Sequence, residues 1–283
     1  MTAYLSLDGG RIAYEVTGTG DGPLVVLAPG MGESRAAYRF VAPQLVAAGY
    51  RVAATDLRGT GESSIGWPSY SRTDIAGDLV ALIRHLGGPA VLVGHSISGG
   101  AATIAAATAA ELVTAVVELA PFTRRQSISL GDLRVKRYRQ GMTRLLGAGM
   151  FGSVKQWLGY LDVAFPGQRP ADWAEQLART EARLREPGRM KVLQKMGQSS
   201  PADAGAQLGN VRCPVLIIEG TLDPDWADPR AEGEAIVAAL PAGLGTVAML
   251  DGAGHYPHTQ FPDQVVALML PFLAETAGAE GRP

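Results

Sequence analysis

Residues 94–100 read Gly-His-Ser-Ile-Ser-Gly-Gly, set between the apolar run Ala90-Val91-Leu92-Val93 and the alanine-rich stretch from Ala101 to Ala110. A strand that reverses into a helix within a few residues forces the residue at the tip into a strained backbone. A serine placed there holds its Oγ clear of the chain, provided that the residues two before and two after it are small. Gly94 and Ser98 are those neighbours, and Ser96 is the predicted nucleophile. Glycine is the commoner residue where Ser98 stands, and the Ser98 hydroxyl is expected to bond within its own helix. Gly99 and Gly100 are expected to let that helix lie close to the strand.

A serine hydroxyl is a weak nucleophile at neutral pH, so it needs a base in reach and a third group that fixes the tautomer of that base. The chain has four histidines. His255, in Asp251-Gly252-Ala253-Gly254-His255 after the last strand, is the predicted base; His258 is its competitor, and is otherwise a structural or pocket-rim residue. His95 points away from the nucleophile by strand alternation and reads as structural or pocket-lining. His85 closes a helix, where it complements the dipole. The acid is expected at another strand end, between serine and histidine in chain order. Asp223 fits, in Gly220-Thr221-Leu222-Asp223-Pro224-Asp225, with Asp225 and Asp228 as nearby alternatives. Acyl transfer also needs donors aimed at the developing oxyanion. The backbone N–H of Ile97 is one, and that of Met31 in the loop Pro29-Gly30-Met31-Gly32-Glu33 is the second candidate.

These groups all fall at the ends of strand-like runs. Tyr4–Leu7 and Arg11–Val16 suggest a hairpin, and Leu24–Ala28, Val52–Thr55, the run before Ser96, Ala115–Leu119, Pro214–Glu219 and Thr246–Leu250 suggest further strands. Helical patterns alternate with them at 36–48, 73–86, 228–240 and 262–275. This alternation predicts a mainly parallel α/β sheet covered on both faces. From 122 to 206 strand patterns vanish and the segment reads as helical. The expected organisation is therefore a core of 1–121 and 207–283 interrupted by a helical cap at 122–206. The loop Asp56-Leu57-Arg58-Gly59-Thr60-Gly61-Glu62-Ser63 reads as architectural, its Asp and Arg tying a tight turn beside the site.

Composition agrees with a globular protein. With 47% hydrophobic and 18% charged residues over 283 positions, the chain can bury a large core, and a net charge of −2 argues against nucleic acid or an anionic membrane as its partner. One cysteine excludes an internal disulfide, and no Cys/His spacing suggests a metal site. Neither a secretory leader nor an apolar run of membrane-spanning length is apparent, so a cytoplasmic protein acting on a small molecule is expected.

Taken in order, the Pro-Gly-Met-Gly loop, the Asp-Leu-Arg-Gly-Thr-Gly-Glu-Ser loop, the serine bend, the Gly-Thr-Leu-Asp turn and the Gly-Ala-Gly-His loop resemble the α/β-hydrolase superfamily, in its form with a helical cap. The resemblance covers nearly all of 1–121 and 207–277. It implies an eight-stranded, mostly parallel sheet, no cofactor, and a pocket shaped by the cap. Pro29 departs from it, since many members carry histidine there. Relatives that open epoxides or remove halides use aspartate at the bend, so Ser96 argues against both activities. In the cap, Arg124, Arg125, Arg134, Lys136, Arg137, Arg139 and Arg144 oppose a single acid, Asp132. They form either a solvated face or an entrance that attracts anionic substrates. Phe122, Met142, Met150, Phe151, Trp157 and Tyr160 could pack the cap or line an apolar pocket; Phe122, Met142, Trp157 and His258 are the substrate-binding candidates. The expected reaction is hydrolysis of a small or medium ester through an acyl-enzyme on Ser96. Carbon–carbon, lactone, thioester or amide cleavage and cofactor-free perhydrolysis are open to the same triad. A non-catalytic ligand-binding receptor on this fold is disfavoured by the complete set of three groups.

Overall fold

In the computed structural model, which describes residues 1–279, the apolar runs form one eight-stranded sheet. The strands are β1 (Ala3–Leu7), β2 (Gly10–Thr17), β3 (Leu24–Ala28), β4 (Arg51–Thr55), β5 (Ala90–His95), β6 (Val113–Leu119), β7 (Val215–Gly220) and β8 (Gly245–Leu250). Their order is β1-β2-β4-β3-β5-β6-β7-β8, and only β2 runs against its neighbours. From β3 the chain steps to one side for β4 and to the other for β5. The loops leaving β3 and β5 therefore diverge at a topological switch point, which opens a crevice at the C-terminal edge.

Alternation sorts the strand residues into two apolar layers. Val26, Leu92, Val116 and Ile217 face α2 (Arg72–His85), α3 (Ile97–Thr108) and α9 (Pro229–Ala239). Val25, Leu27, Val93 and Val117 face α1 (Ala42–Ala47) and α11 (Pro262–Ala279). Both faces are covered, which is why the central strands read as unbroken apolar runs. The helix expected over 36–48 is instead a 3-10 turn at Arg35–Tyr38 followed by α1. Pro43, in the first turn of α1, has no N–H and its ring would clash with the preceding turn, so one helix cannot run through it.

Between β6 and β7 lie α4 (Lys136–Phe151), α5 (Val154–Ala164), α6 (Trp173–Arg185) and α7 (Arg189–Gln198), with a small core of their own around Trp157, Tyr160, Leu161 and Leu193. The chain has rejoined the main core by α8 (Ala202–Gly205), where Ala204 and then Leu208 pack with residues of α2 and α3. Short α10 (Pro257–Gln260) follows β8. No helix among the described residues is long and apolar enough to cross a membrane.

The loop 56–63 is architectural in its contacts. The Asp56 carboxylate accepts from the Arg35 and Glu62 backbone N–H groups, and Arg58 makes two 2.7 Å bonds to Asp78. Arg189 of α7 donates to the carbonyls of Gly59 and Ser63, so the loop also anchors the cap.

Candidate active site

Ser96 sits between β5 and α3 with φ 54° and ψ −115°, in the positive-φ region where a side chain is strained. Such a conformation costs on the order of 1–3 kcal/mol and persists only where its surroundings enforce it. Here the Ser96 N–H donates to Leu119 and its carbonyl accepts from Gly99 and Phe122. Gly94 is needed because a Cβ there would stand 2.2 Å from the Ser98 carbonyl oxygen.

β7 and the loop after β8 bring the other groups to the same edge. His255 Nδ1 donates to Asp223 Oδ2 at 2.8 Å, which leaves Nε2 for the cavity. Asp228, one of the alternatives, caps α9 through the Ala231 N–H. Asp225 is nearer than an alternative: its Oδ2 lies 3.5 Å from His255 Nδ1, its N–H donates to Asp223, and the Tyr160 hydroxyl of the cap donates to its carboxylate at 2.9 Å. Burial alone would lower the His255 pKa, but Asp223 and then Asp225 outweigh it and raise the value to about 9. Burial pushes Asp225 up to about 7.

The backbone N–H groups of Met31 and Ile97 have no protein acceptor among the described residues, and both residues line the cavity beside Ser96. The loop that presents Met31 is held at both ends. Glu33 Oε2 accepts from the Gly30 N–H at 2.8 Å and faces His95 Nδ1 at 2.7 Å, while His95 Nε2 donates to the His255 carbonyl at 2.7 Å. His95 thus staples the β3 loop to the His255 loop. Burial would raise the Glu33 pKa, but His95 prevails and brings it to about 2. At the other end, the Ser98 hydroxyl donates to the Pro29 carbonyl at 2.6 Å rather than within its own helix. The two departures from the family pattern, Pro29 and Ser98, are the two ends of one hydrogen bond.

A cavity of about 330 Å³ covers these groups. Phe122, Met142 and Trp157 line it, as do Met150 and Tyr160, whereas Phe151 is exposed to solvent away from it. His258 does not reach the cavity. It is fully buried, stacked on Tyr38 at 5.0 Å, and neither ring nitrogen has a hydrogen-bond partner among the described residues; burial drives its pKa down to about 3. His85 lies at the exposed end of α2 against the Tyr14 hydroxyl. None of the basic side chains between 124 and 144 lines the cavity. Arg124 pairs with Glu232, Arg137 holds the carbonyls of Asp223 and Ala227, and Arg144 bonds Gln156.

The arginine that does line the cavity is Arg72, at the start of α2. Sequence reasoning passed over it, along with Glu33 and the Asp225–Tyr160 contact. The one local signal for Arg72 was a basic residue directly after a helix-capping serine, where the helix dipole disfavours a cation. Donor atoms of Glu33, His95 and His258, and of Asp223, Asp225 and His255, lie within 4.8 Å of one another in each trio. Both His95 nitrogens and His255 Nδ1 are hydrogen-bonded within the chain, whereas neither His258 nitrogen has a hydrogen-bond partner among the described residues.

The alpha/beta hydrolase family matches residues 25–268. The 2-(acetamidomethylene)succinate hydrolase of Mesorhizobium japonicum is 26% identical over 276 residues, 94% of each chain. Epoxide hydrolase A of Mycobacterium tuberculosis is 26% identical over 309 aligned positions, covering 94% of this chain and 95% of the relative. A thermophilic esterase from Thermogutta terrifontis, solved with malate bound, superposes with a TM-score of 0.73 at 22% identity over 98% of this chain and 99% of its own.

Proposed function

The chain belongs to the alpha/beta hydrolase family, and from that premise we propose that it is a serine hydrolase that cleaves a carboxylic ester through an acyl-enzyme on Ser96. The observation that carries this reading is the strained Ser96 on the same cavity wall as a His255 whose far nitrogen is held by Asp223 at 2.8 Å. In this mechanism Ser96 Oγ attacks the ester carbonyl and its proton passes to His255 Nε2. The tetrahedral oxyanion is received by the Met31 and Ile97 N–H groups, and the leaving alcohol departs with the proton from His255. Water, deprotonated by the same imidazole, then releases the acid and restores the Ser96 hydroxyl. Asp223 holds the imidazole with Nδ1 protonated and stabilises the imidazolium that forms.

Serine at the tip favours acyl transfer over epoxide opening, since the epoxide-opening members of the family attack with an aspartate at that position. Among acyl compounds an ester is favoured because the cavity is lined mainly by apolar side chains, including Phe122, Met142 and Trp157, that suit an alkyl or aryl group. Steady hydrolysis of 4-nitrophenyl acetate by the wild-type protein tests the reading. Ser96→Ala and His255→Ala should each reduce kcat by ~10⁴-fold or more, while His258→Ala should keep most of the activity. A wild-type protein inert toward esters, thioesters and lactones alike would refute it.

A further inference from the structure

Arg72 is 4% exposed, yet no carboxylate lies within ion-pair distance of its guanidinium among the described residues. Its Nε donates to the Phe122 carbonyl at 2.8 Å, and its Nη1 donates to the carbonyl and the hydroxyl of Ser199 at 3.2 and 3.1 Å. Nη2 has no protein acceptor among the described residues. The side chain is therefore held between Phe122, just past β6, and Ser199 at the end of α7, and it lines the same cavity as Ser96.

The space for it is built into the fold. A Cβ on Gly100 of α3 would lie 2.8 Å from Arg72 Cδ, 3.0 Å from its Nε and 2.9 Å from the Phe122 carbonyl oxygen, so glycine there makes room for the arginine together with the carbonyl to which it donates. Burying a cation with no carboxylate in direct contact, only the more distant Asp203, is costly, and placing it at the first position of a helix sets it against the dipole as well. A packing role alone would be met by an apolar side chain of similar length without either penalty. The one carboxylate on the cavity, Asp225, is engaged by Tyr160 beside His255 and does not pair with Arg72.

Resting on the serine-hydrolase reading above, we infer that Arg72 binds a carboxylate of the substrate, so that the compound cleaved at Ser96 is an acid-bearing ester such as the half-ester of a dicarboxylic acid. One guanidinium without a carboxylate in contact matches one negative charge, and Phe122, Met142 and Met196 line the same cavity, where low polarity would strengthen the pair. Burial lowers the Arg72 pKa to about 10 against the attraction of Asp203, which leaves the group charged at neutral pH.

The test compares 4-nitrophenyl hydrogen glutarate with 4-nitrophenyl valerate, which differ in one terminal carboxylate. The wild-type protein should favour the glutarate half-ester in kcat/KM by about tenfold or more, the range of one charge-assisted hydrogen bond. Arg72→Met should abolish that preference, mainly through KM, and Arg72→Lys should restore part of it. A measurement on the wild-type protein alone covers the case in which the variants fold poorly: free glutarate should inhibit valerate-ester hydrolysis competitively and far better than neutral glutaramide. Equal preference in wild type and Arg72→Met, or equal inhibition by glutarate and glutaramide, would overturn the assignment. Turnover of neither ester would instead overturn the serine-hydrolase reading on which it rests.

Discussion

Replacing Asp225 by Asn tests how the charge around the proposed base is set. The imidazole of His255 is flanked by two buried carboxylates, Asp223 at 2.8 Å and Asp225 at 3.5 Å from Nδ1. Asn keeps the shape of Asp225, and its Oδ1 can still accept from the Tyr160 hydroxyl, so the change removes charge and little else. At 3.5 Å the attraction between unit charges is about 1–5 kcal/mol for effective dielectric constants of about 80 down to 20, equivalent to about one to three pH units. A general base acts when neutral, so kcat/KM rises with pH as His255 loses its proton. Both carboxylates stabilise the protonated imidazole and hold its pKa high, at about 9. Removing one of them must move the acidic limb of the kcat/KM profile toward lower pH, by about one pH unit or more. Profiles of 4-nitrophenyl acetate hydrolysis from about pH 5 to about pH 10 for wild type and Asp225→Asn read this directly. Asp223→Asn should behave differently, lowering the plateau by ~10⁴-fold because the tautomer is lost. An acidic limb that stays in place in Asp225→Asn, or moves upward, would refute the reasoning.

Two further perturbations probe the scaffold around the site. Ser98→Ala leaves the Pro29 carbonyl without its 2.6 Å donor, and should cost about 1–3 kcal/mol in urea denaturation and lower kcat as the Met31 N–H loses its fixed position; wild-type stability and kcat together would show that the bond does not steady the loop. His258→Phe should be neutral or stabilising at pH 7, because it removes two buried nitrogens that have no hydrogen-bond partner among the described residues while keeping the stack on Tyr38. The same variant should flatten the acid side of the stability profile. Unfolded His258 takes up a proton near 6.5 and folded His258 only near 3, so between these values the unfolded state binds more protons and the wild-type protein loses stability as pH falls. Thermal melts from neutral pH to about pH 4 check both statements, and a variant that melts as steeply with acid as wild type would contradict them.

The architecture was readable because each core strand is buried on both faces and so appears as an apolar run, and because the strained bend around Ser96 admits few residue types. His255 and Asp223 were singled out by chain order and by their position at strand ends, and the structure brings their side chains to 2.8 Å from each other. What escaped the sequence depends on contacts between distant segments. The bond from Ser98 to Pro29 spans 69 positions, and each residue alone looked like a departure from a pattern. Asp225 was seen only as a substitute for Asp223, because nothing local shows that both carboxyls reach the same nitrogen. The basic stretch 124–144 drew attention by its density, although density marks a solvated or carbonyl-binding face as readily as a site. Arg72 was hidden by a helix start read one residue late, at 73, which left it in a loop and concealed its conflict with the helix dipole.

The central claim is a covalent acyl-enzyme on Ser96, and mass spectrometry of protein acid-quenched during turnover of 4-nitrophenyl acetate tests it most directly. A single acetyl group should appear on the peptide that carries Ser96, build up further in Asp223→Asn if deacylation slows more than acylation, and be absent from Ser96→Ala. Acetylation at another residue, or turnover that persists in Ser96→Ala with no acetyl group on the chain, would contradict the account.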